Sequence, residues 1–202
     1  VNSVGGIAAP KLLRALGVEV IHELYCEPTG KFAHNPEPLP ENLSALSSEV
    51  KQQKADIGIA VDPDVDRLAL IDEQGVPFGE EYTLVAVADY VLAHKKGNTV
   101  SNLSSTKALR DISEKHGVLY SASAVGEVNV VEKMKETNAV IGGEGNGGII
   151  LPELHYGRDA LVGIALFLSH LATSNKSMNS LRAQYPNYVI SKNKIQLEEG
   201  MN

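Results

Sequence analysis

One cysteine, Cys26, stands in 202 residues. A lone cysteine excludes an internal disulfide framework and fits a reducing compartment. Basic residues are outnumbered: 18 Lys and Arg against 25 Asp and Glu give a formal net charge of −7 at pH 7. That balance argues against a general affinity for nucleic acid or acidic membranes. No apolar run approaches the ~18 residues of a membrane span. The longest, Leu161–Ala172, carries Ser169 and His170 within it. The basic, apolar, small-residue order of a signal peptide does not open the sequence. With 43% hydrophobic and 21% charged residues, long disorder, collagen and coiled coil are excluded as well. What remains is a globular protein expected in the cytoplasm, with neither nucleic acid nor membrane as partner. Its length suits one domain or two.

Strand and helix patterns alternate along the chain. Helical stretches are predicted at Pro10–Leu16, Glu41–Lys54, Glu80–Lys95, Lys107–Lys115, Glu127–Glu136 and Ala160–Thr173. Strands are predicted at Val18–Leu24, Ile57–Val61, Leu68–Asp72, Thr99–Asn102, Val118–Ala122, Ala139–Ile141 and Ile149–Leu151. Residues 27–41 hold four prolines and Gly30, the signature of a long surface loop. The simplest organisation is two successive α/β units with a junction near Lys96–Asn98, residues 1–96 and 97–185. The polar stretch after Ser174 reads as a departing linker, with 186–202 leading to something further on. Val1 stands where an initiator Met would, and Val1–Gly6 reads as the end of a strand entering a Gly-rich turn. A piece of a longer chain is therefore expected.

Between two apolar strands lies Asp62-Pro63-Asp64-Val65-Asp66-Arg67. Three carboxylates at alternate positions can converge on one hard cation, whose charge offsets their mutual repulsion. Strand ends of α/β units are also where ligands bind. An EF-hand would place Glu73 at its twelfth position, but Arg67 stands where that loop needs glycine and the flanks are strands. Arg67 suits either of two roles, a structural counter-ion or a planar clamp for a phosphate or hydroxyl beside the metal.

The second cluster is Gly142-Gly143-Glu144-Gly145-Asn146-Gly147-Gly148. Gly143, Gly145 and Gly148 satisfy G-x-G-x-x-G, yet a dinucleotide site needs a helix directly after it, and Ile149-Ile150-Leu151-Pro152 is strand-like. A hairpin turn explains the glycines but not Glu144. A flexible loop in which Glu144 and Asn146 meet a polyhydroxy ligand explains both, since a carboxylate can accept two vicinal sugar hydroxyls. The six histidines show no zinc spacing. Ser104-Ser105 reads as a helix cap. There is no G-x-S-x-G elbow and no Walker loop.

Taken together, Asn2–Gly6, Asn35-Pro36-Glu37-Pro38, Asp62–Arg67, Ala124-Val125-Gly126, Gly143-Glu144 and Gly157-Arg158-Asp159 resemble the two middle domains of the α-D-phosphohexomutases, the family of phosphoglucomutase, phosphomannomutase and phosphoglucosamine mutase. The resemblance implies two consecutive three-layer α/β/α domains with mixed sheets, the first strand truncated, within a four-domain enzyme. That enzyme moves a phosphoryl group between O1 and O6 of a hexose through a phosphoserine and a bisphosphate intermediate. It implies Mg²⁺ on Asp62, Asp64 and Asp66, with Arg67, Glu144 and Asn146 on the hexose phosphate. The phosphoserine domain and the fourth, phosphate-binding domain have no counterpart here, so no catalytic nucleophile is expected and the chain alone should be inactive. Phosphoglucosamine mutase and a non-catalytic metal- or sugar-binding protein on this scaffold are the alternatives. Pro63 and Val65 replace the glycines common in family metal loops, which should stiffen the turn. Asn146 and Gly148 stand where the sugar loop often carries Ser and His. Ala124, Glu127 and Val128 surround Gly126, where some relatives place a basic residue.

Overall fold

In the computed structural model, residues 2–19 and 22–189 are described. Helix α1 spans Gly5–Ala15, a 3-10 turn covers Pro40–Asn42, and α2 spans Ser44–Gln53. Strands β1 (Ile57–Val61) and β2 (Leu68–Asp72) pair antiparallel. After α3 (Glu80–His94) come β3 (Asn98–Asn102), α4 (Ala108–Lys115), β4 (Tyr120–Ser123), α5 (Glu127–Thr137), β5 (Ala139–Glu144) and β6 (Gly148–Ile150). Helices α6 (Ala160–Ser174) and α7 (Met178–Arg182) follow.

The second sheet has the order β4-β3-β5-β6, with β3 parallel to β4 and β5 and with β6 antiparallel to β5. Its layers follow from strand alternation, interrupted in β5 where the register slips by one residue between Ala139 and Ile141. Val100, Ala139 and Ile150 face Val130 and Met134 of α5, while Ile141 and Ile149 join the apolar cluster of α3, α4 and α6. In β2 every residue is buried. Ala69 and Ile71 pack on Leu43 and Val50 beside α2, whereas Leu68 and Leu70 join Ala9 of α1 and the α3 residues. The expected α/β architecture is what forms, with the second sheet mixed and the β1-β2 pair antiparallel. Helix α3 is apolar almost all round, as a helix covered on several sides must be; it packs on β2 and on α4, α6 and β5. One core thus runs through both units.

The two sheets also touch directly. Arg67 and Gly148 form an isolated antiparallel bridge, and the Leu68 N–H donates to Gly147 O at 3.0 Å.

Three expectations need correction. Helix α1 begins at Gly5, so Pro10 lies inside it and not in its first turn. The Ile7 and Ala8 N–H groups close the earlier turn on Val4 O, leaving Pro10 to forgo only its own bond. Of the strand expected at Val18–Leu24, Val20 and Ile21 lie outside the described residues, and those beside them belong to no strand. The polar stretch after Ser174 does not depart at once. Met178, Leu181 and Tyr185 are buried, Arg182 stacks 3.3 Å over the Tyr82 ring, and the Tyr82 hydroxyl donates to Pro186 O at 2.8 Å. A polar sequence with a few well-spaced apolar anchors docks where composition alone suggests a linker. Of the stretch 186–202 expected to lead onward, residues 190–202 lie outside the described residues.

Candidate functional site

The turn from β1 to β2 folds back over its own first residue. Asp62 is fully buried, and its Oδ1 accepts the Asp66 and Arg67 N–H groups, both at 3.0 Å. Its Oδ2 accepts Arg67 Nε at 2.7 Å. Burial works against the Asp62 charge, but the bonds from Arg67 outweigh it and hold the carboxyl below its ordinary range. Val65 sits at φ 62°, a left-handed conformation costly for a β-branched residue. This is one of the positions where the resemblance expects glycine.

Oxygens of Asp62, Asp64 and Asp66 lie within 4.8 Å of one another, and Asp64 is exposed. Asp66 Oδ1 is buried without a hydrogen-bond partner. Burial first, then its contact with Asp62, pushes the Asp66 carboxyl up to about 7. An all-oxygen donor set with one orphaned buried oxygen fits a hard divalent cation.

Arg67 is anchored on both sides. Beyond Asp62, its Nη1 and Nη2 donate to Glu37 Oε2 and Oε1 at 2.6 and 3.3 Å. That fork brings the proline-rich loop onto the Asp loop, and the hydrogen bond from Arg67 holds the Glu37 carboxyl below its usual value.

The glycine-rich stretch is a hairpin and not a flexible loop: Gly142 pairs with Ile150, Gly143 with Ile149 and Glu144 with Gly148. Glycine is needed at 147, where φ is 88° and an added Cβ would lie 2.3 Å from Leu68 O. Glu144 ends β5 and is only 6% exposed. Its Oε1 accepts Asn102 Nδ2 at 2.6 Å and the Gly126 N–H at 3.3 Å, and its Oε2 accepts Arg158 Nη1 at 3.0 Å. A carboxylate oxygen has two lone pairs, and Arg158 takes one of those on Oε2. Asn146 Oδ1 is spent within the turn on the Gly148 N–H at 3.2 Å.

Arg158 joins the two clusters: Nη2 bonds Asp66 Oδ2 and Nη1 bonds Glu144 Oε2. The Asp loop and Glu144 are therefore neighbours, joined through one guanidinium. Arg158, Glu37 and Gly126 stand in segments that carry the resemblance without an assigned role, and no motif in the sequence marks Asn102.

Family models match along almost the whole chain. Residues 1–75 match phosphoglucomutase/phosphomannomutase alpha/beta/alpha domain II, and residues 79–188 match domain III of the same family. The chain belongs to the phosphoglucomutase/phosphomannomutase family. The two matches meet just before α3. A phosphoglucomutase/phosphomannomutase of Thermococcus kodakarensis is 37% identical over 98% of this chain and 43% of its own length. A phosphoglucosamine/phosphogalactosamine mutase of Sulfurisphaera tokodaii is 33% identical over 99% of this chain and 45% of its own. Among solved structures, a phosphoglucomutase/phosphomannomutase family protein of Burkholderia thailandensis superposes with a TM-score of 0.83 at 29% identity, covering 93% of this chain and 42% of its own. The chain thus spans less than half the length of these relatives.

Proposed function

We propose that this chain is the metal-holding and sugar-recognising middle of a phosphohexomutase that interconverts hexose 1-phosphate and hexose 6-phosphate through a phosphoserine and a bisphosphate intermediate. The observation that carries this reading is the single arginine that joins a three-carboxylate loop to a buried glutamate, in a chain matching domains II and III. On this reading Asp62, Asp64 and Asp66 hold Mg²⁺, which when bound supplies positive charge beside the transferring phosphoryl group. Arg67, fixed by Asp62 and Glu37, presents a planar cation next to that charge. Glu144 accepts a sugar hydroxyl on its remaining lone pair, and the Asn146 amide faces the same ligand. The lone cysteine and acidic balance support a cytoplasmic setting, and among the described residues no helix is long and apolar enough to cross a membrane. On this reading the phosphoserine and the clamp for the distal phosphate lie on domains outside the matched span.

A glucosamine phosphate substrate is the second reading, favoured by amino-sugar mutases standing at similar identity to the glucose and mannose ones. Turnover of glucose, mannose and glucosamine 1-phosphates by the full-length parent separates the two. For the metal, calorimetric titration of Mn²⁺ or Mg²⁺ should show weak binding to this chain and its loss in Asp64→Asn, an exposed position whose change spares the core. Mutase turnover by the 202 residues alone would overturn the division of labour, because phosphoryl transfer depends on positioning donor and acceptor together.

A further inference from the structure

Arg158 is held more thoroughly than a surface counter-ion needs. Its backbone lies immediately before α6, whose N-cap Asp159 accepts the Leu161 and Val162 N–H groups. The Arg158 N–H donates to Glu127 Oε1 at 2.9 Å. The next two N–H groups tie this segment to both loops: Asp159 N–H to Ile149 O at 2.8 Å, and Ala160 N–H to Val65 O at 3.0 Å. Its stem crosses the hairpin over Gly148, where an added Cβ would lie 2.5 Å from Arg158 Cδ. Gly148 is the position at which the resemblance expects histidine, so in this chain the arginine takes that room. At its tip, Nη2 takes Asp66 Oδ2 and leaves Asp66 Oδ1 buried without a hydrogen bond, 3.6 Å from Arg67 Nε, while Nη1 takes one lone pair of Glu144 Oε2.

We propose that Arg158 is a positioning residue that spans the two loops, aiming Asp66 Oδ1 at the cation and fixing Glu144 at a set distance from it. The inference rests on the reading that Asp62, Asp64 and Asp66 hold a divalent cation. A planar fork can reach two carboxylates at once in a fixed geometry, whereas an ammonium is a point charge. Partners that orient a metal's ligands typically account for about 10–100-fold in metal affinity. The opposite expectation comes from charge alone: removing a cation beside the site should tighten metal binding.

The test is Mn²⁺ calorimetry on the wild-type chain, Arg158→Gln, Arg158→Lys and Asp64→Asn, each measured well below its melting midpoint. Both Arg158 variants should bind about tenfold or more weakly, the lysine included, since it keeps the charge and loses the span. A merely structural role lowers the midpoint and leaves the affinity of the folded protein unchanged. Wild-type affinity in Arg158→Lys, or tighter binding in Arg158→Gln, overturns the inference while leaving the metal reading intact. Equal binding by wild type and Asp64→Asn overturns the metal reading itself. Should the variants fail to fold, the wild-type chain decides. The Arg158 Nε–Hε resonance, assigned through its backbone, should shift on adding Mg²⁺ and stay still in Asp64→Asn, and a resonance unmoved in wild type refutes the proposal.

Discussion

The contact between the two sheets can be measured with two glycines. Gly147 and Gly117 both sit at positive φ, 88° and 70°, so alanine at either place adopts a conformation that L-residues avoid. Around Gly117, which closes α4 through Gly117 N–H to Glu114 O and Val118 N–H to Ser113 O, an added Cβ meets nothing within 4 Å. Gly117→Ala therefore reports conformational strain alone, about 1–2 kcal/mol. At Gly147 the same Cβ would lie 2.3 Å from Leu68 O and 3.1 Å from Leu68 N. Neither atom is the end of a flexible side chain. Relief requires the hairpin turn to lift off β2, which loses the 3.0 Å bond from Leu68 N–H to Gly147 O and with it about 0.5–1.5 kcal/mol, and pulls on the Arg67–Gly148 bridge. The expected total for Gly147→Ala is about 1.5–3.5 kcal/mol. In a protein of this size each kcal/mol moves the melting midpoint by roughly 2–4 °C. Thermal and urea denaturation of the two variants side by side should place Gly147→Ala about 0.5–1.5 kcal/mol below Gly117→Ala. Equal losses would mean that β2 and the hairpin separate freely, and the rigid seam between the Asp loop and Glu144 would have to be abandoned.

Three further outcomes are expected. Asp89, bonded by His116 Nε2 at 2.6 Å and Lys115 Nζ at 3.2 Å, is destabilised as an anion by burial, but these partners prevail and hold its carboxyl below the ordinary value. A depressed carboxyl stabilises the fold above its unfolded pKa of about 3.9 and ceases to do so as pH falls through the folded value. Asp89→Asn should therefore cost about 1–3 kcal/mol at pH 7, with the gap closing below about pH 4 in urea titrations; a gap constant across that range would contradict the assignment. Val65→Gly gives up about 1.5–3 kcal/mol of apolar burial and regains about 1–2 kcal/mol of left-handed strain, so its denaturation midpoint should move by little, and a loss above about 3 kcal/mol would show that the backbone there is relaxed. Glu37→Gln, at a side chain 48% exposed, should change stability by less than about 1 kcal/mol, and a larger loss in denaturation would make the Arg67 fork a fold determinant.

Strands β1 and β2 could be read from sequence to the residue because each is a short apolar run bounded by strong breakers, Asp-Pro on one side and Gly75 on another. Arg67 could be read as a partner of the Asp loop because covalent neighbours cannot lie far apart. Helix α7 was lost because Met178, Leu181 and Tyr185 are single apolar residues in a polar stretch, and only the pocket they enter makes them core. The hairpin at Glu144 was lost for a related reason. Glycine density is compatible with a flexible loop and with a tight antiparallel turn, and the choice is made by Leu68 O, which belongs to a distant strand. Arg158 shows the limit most clearly. Nothing in the residues adjoining it along the chain says that Asp66 and Glu144 will converge on one guanidinium, because that convergence requires β2, the hairpin and the entry to α6 to be pinned together first. The seam through Leu68 N–H and Gly147 O, and the bond from Ala160 N–H to Val65 O, do that pinning. Backbone bonds thus bring the Asp loop and Glu144 within reach of one guanidinium, and the arginine then sets the side chains of Asp66 and Glu144 across the gap that remains.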